Sequence, residues 1–162
     1  MTGALIAHRA DIYREHVEAK LEKGMVVIAN RGEPATLAYQ TARKEIGMEE
    51  VWSMHRESGI RKPGLVVLTI CSPNIAADRE KTDSSYARRE REGGGGLSGK
   101  ITRESGLKNN EMLERRRKIH KQYILAGRFL REKGTPVLTL DTEKMNVDEE
   151  ANLALTFAGL DR

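Results

Sequence analysis

The sequence predicts an α/β fold: a parallel sheet held between helices in a three-layer α/β/α arrangement. Three observations predict it. Short apolar, β-branched runs occur at Met25–Ala29, Leu65–Cys71 and Val137–Leu140. The runs are continuous rather than alternating, as strands buried on both faces are. Each is separated from the next by segments of helical periodicity, and strands alternating with helices imply parallel pairing with helices on both faces.

Each element has its own warrant. Gly3 to Lys23 reads as an amphipathic helix with Leu5, Ile12, His16, Ala19 and Lys23 along one side and Val17 and Leu21 nearby. Gly24 stands where a left-handed cap residue belongs. After the first run, Asn30-Arg31-Gly32-Glu33 is a strand-to-helix loop, and Pro34 suits the first turn of a helix running to Glu45. Gly47 breaks that helix. Met48 to Ser58 forms another, with Val51, Trp52 and His55 on one side. Arg61-Lys62-Pro63-Gly64 turns into the second run, and a helix from Asn74 to about Lys81 follows Ser72-Pro73. Thr82 to Gly106 has almost no apolar residues and contains Gly93 to Gly96, which predicts a loop. A long helix then spans Asn109 to Lys133 on a stripe of Met112, Ile119, Tyr123, Ala126 and Leu130. Gly134-Thr135-Pro136 stops it before the third run, and Asp148 to Ala158 closes the chain as a helix.

With 162 residues, 38% of them apolar, one domain with an aliphatic core is expected. No apolar run approaches a membrane span, and Met1 to Arg9 lacks the pattern of a signal peptide. Cys71 is the single cysteine, so a reducing, cytoplasmic setting is the natural reading and Cys71 itself is expected in the core. His8, His16, His55 and His120 show no metal-ligand spacing, and no metal site is expected. A net charge of +4 suits an anionic ligand without identifying one. In parallel sheets ligands bind beyond the carboxyl ends of the strands, which points by topology alone to Asn30, Arg31, Ser72 and Asp141.

The segment Val27-Ile28-Ala29-Asn30-Arg31-Gly32-Glu33-Pro34-Ala35-Thr36-Leu37-Ala38-Tyr39-Gln40 resembles the thymidylate kinase family. There a strand ends in Asp-Arg-Tyr and leads to Ser-x-x-Ala-Tyr-Gln. Upstream, Ala4-Leu5-Ile6-Ala7-His8-Arg9 is similar to the family's Leu-Phe-x-Ala-Asn/Asp-Arg. Downstream, Pro63 to Pro73 resembles the core strand between two prolines. A basic segment, a long helix with Arg115, Arg116 and Tyr123, and a strand ending in Asp141 follow in the family's order. The resemblance implies a P-loop-kinase-like domain and phosphoryl transfer from ATP, with Mg2+, to a nucleoside monophosphate, dTMP foremost.

The resemblance also implies roles. Arg31 grips the acceptor phosphate, a task a planar guanidinium at a strand end performs bidentately. Without the resemblance, a surface ion pair is the simpler reading of Arg31. Arg9 reaches the acceptor base or phosphate, Tyr39 packs on the sugar, and Asn30, Thr36 and Gln40 hydrogen-bond the base or its surroundings. Leu5 packs on the base. The segment from about 82 to 106 resembles a lid, in which Arg88, Arg89 and Arg91 are the catalytic candidates, with Arg79, Lys81, Lys100 and Arg103 around them; a solvated loop is the alternative. By that resemblance only, the Gly3–Lys23 helix is a candidate homodimer surface.

The pattern departs from the family at named places. Asn30 replaces aspartate, Gly32 an aromatic residue, and Leu5 a phenylalanine that stacks on thymine. In the family the P-loop lies on the first strand, and this chain begins after that point, so the reading implies a sheet without that strand and needs upstream sequence. Gly94-Gly95-Gly96-Leu97-Ser98-Gly99-Lys100-Ile101 approaches the motif but puts Ile101 at the magnesium-binding position and has no preceding strand. Two alternatives to catalysis follow: a degenerate relative that binds a nucleotide without turnover, and a basic nucleic-acid-binding protein. The second ranks last, because the aromatics are not interleaved with the basic clusters and no recognition motif is present.

Overall fold

A computed structural model describes residues 2–43, 46–82 and 109–160. Helix α1 (Thr2–Ile12) passes into a π-helical stretch (Tyr13–Glu18) and then α2 (Ala19–Glu22). Helices α3 (Glu33–Ala42) and α4 (Met48–Glu57) follow, then strand β1 (Val66–Ile70) and α5 (Pro73–Thr82). The long α6 (Asn109–Glu132), strand β2 (Val137–Asp141) and α7 (Val147–Phe157) complete the order. The expected lid, with Arg88, Arg89 and Arg91, lies outside the described residues.

Helix ends follow local chemistry. Gly24, Gly59, Gly134 and Gly159 all take positive φ just past a helix. At Gly24 the amide donates to Leu21 O, and the Met25 amide to Lys20 O, at 3.0 Å each. That paired pattern needs a left-handed residue at the first position, so a glycine ends the helix at no steric cost. Helix α7 starts on a capping box: Asn146 Oδ1 accepts from the Glu149 amide, and Glu149 accepts from the Asn146 amide.

The sheet among the described residues has two strands. Val66 N–H donates to Pro136 O and Thr142 N–H to Ile70 O, both at 2.9 Å, so β1 and β2 run parallel. The expected third strand, Met25–Ala29, is corrected. Met25, Val26 and Ile28 are 52%, 63% and 88% exposed, and no strand forms there. A β-branched run becomes a strand only when a neighbour takes up its backbone groups. Among the described residues no backbone hydrogen bond joins 26–31 to another segment. The three-layer arrangement is therefore not seen; a helix-rich α/β chain with a small parallel sheet is.

The first helix buries a different face from the one its sequence suggests. Ile6, Ala10 and Tyr13 are buried, whereas Leu5 and Ile12 are exposed. Both sides of this helix carry aliphatic residues, so periodicity alone does not choose between them. The π-helical stretch also widens each turn after Ile12, which moves later residues off the stripe drawn at 3.6 per turn.

The chain groups into two compact units. The first comprises 1–68 and 121–138. Its core contains Ile6, Ala10, Leu37, Ala38, Val51, Ile60, Val66, Leu68, Ala126 and Leu130, with α4 packed against both α1 and α3. Gly127 lets α6 approach the sheet: a β-carbon there would lie 3.1 Å from Leu68 Cδ2. The apolar stripe read on the long helix holds at Ala126 and Leu130, which are fully buried. The second unit comprises 69–120 and 139–162. In it Arg79 donates to Thr142 Oγ1 at 2.8 Å and to Thr142 O at 2.6 Å, and the Ser72 amide donates to Glu143 Oε1. Helix α7 contributes no buried residue.

Candidate functional site

The site is built around the turn that precedes α3. Arg31 has φ of 56° and is the one non-glycine residue in that region among those described. For an L-residue this conformation costs roughly 1–2 kcal/mol. Arg9 offsets part of that cost: its Nη2 donates to Arg31 O at 3.2 Å, spanning 22 residues of chain. Hydrogen bonds with a charged partner contribute about 1.5–3 kcal/mol, the low end applying in solvent. Arg31 and Asn30 are both exposed, so the guanidinium is open to a ligand.

Behind this turn lies a buried charged cluster. Glu33 opens α3 with its side chain 4% exposed. Arg56 Nη2 lies 2.6 Å from each of its carboxylate oxygens. The Arg56 guanidinium also sits over the Trp52 ring, 4.2 Å from its centre. His55 is fully buried, with Nδ1 2.8 Å from Val51 O and 3.7 Å from Glu33 Oε1. Two acceptors on that side require the proton on Nδ1, which leaves Nε2 as the bare nitrogen of a neutral ring. Burial lowers the His55 pKa, and the charges of Arg9 and Arg56 add to that; the bond to Val51 O works the other way. Burial raises the Glu33 pKa, while Arg56 and Arg9 pull it back. Burial lowers that of Arg9, against the attraction of Glu33.

An aromatic pair forms another side. Tyr39 on α3 and Tyr123 on α6 meet edge to face, with ring centres 5.9 Å apart and planes at 83°. Burial pushes the Tyr123 phenol up to about 12, with Tyr39 adding to the rise. The charge of Arg31 acts on Tyr123 in the opposite sense. Thr41 Oγ1, 2.7 Å from Leu37 O and 3.0 Å from Gln122 Oε1, fixes α3 against α6. Thr2 Oγ1 donates to Gln40 Oε1 at 3.0 Å and fixes α1 against α3.

The sequence-derived residues thus fall into groups. Arg9 meets the turn of Arg31 through a hydrogen bond, while Tyr39 lies farther along α3 against Tyr123. Leu5 lies one helical turn from Arg9 and is 39% exposed. Thr36 is buried, with Oγ1 facing no partner among the described residues, and Gln40 is buried against Thr2. Ser72 and Asp141 belong to the other unit, where Lys144 lies 2.8 Å from Asp141 and its hydrogen bond lowers the carboxyl pKa. Arg79, grouped with the lid by sequence, is bonded to Thr142 instead. Sequence reasoning missed Glu33 and Arg56; it set His55 on the side of its helix that carries Val51, and both are fully buried. His55 follows Val51 by four residues, so the two share one face.

Among the described residues no group of three histidine, cysteine, aspartate or glutamate side chains could hold a metal ion. At Asn30 an amide stands where a carboxylate would suit magnesium. Mg2+ in nucleotide sites is held by one or two carboxylates together with substrate phosphates, so this bears only on a preformed metal cage. No helix among them is long and apolar enough to cross a membrane. Comparison with family models matches residues 3–92, more than half of the chain, to the model described as thymidylate kinase. No curated protein and no solved structure matches.

Proposed function

As a member of the thymidylate kinase family, the chain carries nucleotide-kinase character at the family level, and within that we propose that the turn at Arg31 is the acceptor site for a nucleoside monophosphate, dTMP foremost. The observation that supports this best is the exposed Arg31, held in the left-handed region on the turn before α3, the helix that carries Tyr39. A monoester phosphate is a dianion near neutral pH, and a guanidinium binds two of its oxygens at once. Tyr39 offers a ring edge to the sugar, and Leu5 an apolar surface to the base. Leucine packs against a base with less orientation than an aromatic ring would impose. Arg88, Arg89 and Arg91 are proposed as the lid residues that stabilise charge on the transferring phosphoryl group. ATP as donor and Mg2+ as its counterion are part of the same proposal, on the family's general chemistry.

Calorimetric titration of dTMP into the chain, with and without Arg31→Ala, tests the acceptor half alone. Saturable binding that weakens by about 30-fold or more in the variant is expected, equivalent to losing a charge-assisted contact of roughly 2 kcal/mol. Equal binding by both proteins would remove Arg31 from the site. Asn30 favours a second reading, binding without transfer, because it lacks the charge of the family's aspartate. Formation of dTDP from ATP and dTMP, lost in Arg31→Ala, would exclude that reading.

A further inference from the structure

Arg31 stands at the end of a stretch with little support of its own. Apart from the exposed bond to Arg9, what holds its turn is the start of α3: among the described residues no backbone hydrogen bond joins 26–31 to another segment. Gly32, which caps α3, has no side chain to fix the helix start. The nearest buried anchor is Glu33, two positions after Arg31. Its side chain is 4% exposed, and Arg56 Nη2 lies 2.6 Å from both of its oxygens. Arg56 is seated in turn. Its guanidinium lies over Trp52, Trp52 meets Phe129 of α6 edge to face, and Val51 and His55 anchor α4 with complete burial. A continuous line of contacts thus runs from α6 through α4 to the residue where the turn of Arg31 becomes helix.

Neither of the usual reasons for a glutamate at this position accounts for its burial. An acidic residue complements a helix dipole from the surface. A buried ion pair is also a weak source of stability, since packed apolar residues of similar volume commonly serve as well or better. What the pair supplies is a fixed point, because charge-assisted bonds are directional where apolar contacts are not. We propose that Arg56 is a positioning residue for the acceptor site: through Glu33 it fixes the start of α3, and with it the turn from which Arg31 reaches the phosphate. The proposal rests on the acceptor reading of Arg31 for its functional meaning, and on the buried pair for its geometry. Without the pair, Arg31 is correctly aimed for only part of the time, and phosphate affinity falls by that fraction.

The double variant Glu33→Met/Arg56→Met tests this, because it removes the pair and leaves no buried charge alone. Glu33→Gln, which keeps the shape and removes the charge, replaces it if the double variant does not fold. Folding is read by urea titration, and binding of dTMP and of thymidine by calorimetry. The expected result is a urea midpoint at or above that of the unmodified chain, dTMP binding weaker by about tenfold, and thymidine binding unchanged. The loss should disappear when Arg31→Ala is already present. Full dTMP affinity in the folded variant overturns the proposal, as does an equal loss for dTMP and thymidine, since a purely structural pair would not distinguish the two. Losses that add to that of Arg31→Ala overturn it as well. If the unmodified chain binds no dTMP, the acceptor reading fails, and NMR couplings of Arg31 decide the positioning role: departure from positive φ in the variant supports it and an unchanged turn overturns it.

Discussion

The Glu33–Arg56 pair offers the most exacting test of how the first unit is held together. Removing Arg56 leaves a carboxylate whose side chain is 4% exposed with its partner gone. Breaking a buried pair from one side costs about 3–5 kcal/mol, because the remaining charge stays desolvated. Arg56 is 26% exposed, so the low end applies, and loss of its contact with Trp52 adds roughly 0.5–1 kcal/mol. Arg56→Ala should therefore cost about 3–4 kcal/mol at pH 7.5. The pH dependence has a definite sign. Burial raises the Glu33 pKa above its ordinary 4.5, and losing Arg56 raises it further. A carboxyl whose folded pKa is raised binds its proton more tightly when folded, so stability falls as pH rises from the unfolded pKa through the folded one. The deficit of Arg56→Ala should thus shrink on acidification toward pH 5. Urea titrations followed by Trp52, the single tryptophan, report on this unit. The double variant Glu33→Ala/Arg56→Ala should be less destabilised than Arg56→Ala alone. A loss under about 1 kcal/mol, or additive losses in the double variant, would refute the view that burial rather than surface attraction sets the energetics of this pair.

Three further outcomes follow from the same structure. His55 is held neutral with a pKa below its ordinary 6.5; the unfolded chain therefore takes up the proton first, stability falls as pH drops below about 6.5, and His55→Leu should flatten that slope in urea titrations. Tyr123, with its phenol pushed up to about 12 from 10.0, gives the opposite sign at high pH: the folded state keeps its proton longer, so stability declines between pH 10 and 12, and Tyr123→Phe should remove that decline. Gly127→Val would drive a branched side chain into Leu68 and Val137 and should cost about 2–3 kcal/mol in thermal or urea unfolding, where an unchanged midpoint would show that α6 can move off the sheet.

How far the sequence revealed this fold depends on whether an element is fixed by its own residues or by its neighbours. Helices α3 to α7 and strands β1 and β2 fall within a few residues of where capping residues, glycines and apolar periodicity place them. Those signals are local. Asn146 and Glu149 cap α7 through bonds within four residues, and Gly134 ends α6 by its own backbone freedom. Met25–Ala29 fails for the converse reason. Its composition is that of a buried strand, but a strand is a property of two segments, and composition says nothing about whether a partner is there. The first helix shows an intermediate case. Its existence is local, while the choice of Ile6, Ala10 and Tyr13 over Leu5 and Ile12 belongs to the surface it packs against.

The site divides along the same line. Arg31 and Tyr39 could be named from the sequence because a motif of fixed spacing carries them, one on the turn before α3 and the other on α3 itself. Glu33 sat in plain view one residue before a proline, yet nothing local distinguishes a carboxylate at a helix start that complements the dipole from one that anchors an interior. Its partner Arg56 lies 23 residues away on another helix, and only their meeting turns an ordinary surface pair into a desolvated one. Arg9 makes the same point about function. The resemblance assigns it to the ligand, and in this structure one of its five donors meets the Arg31 carbonyl, a long-range contact that no local motif announces.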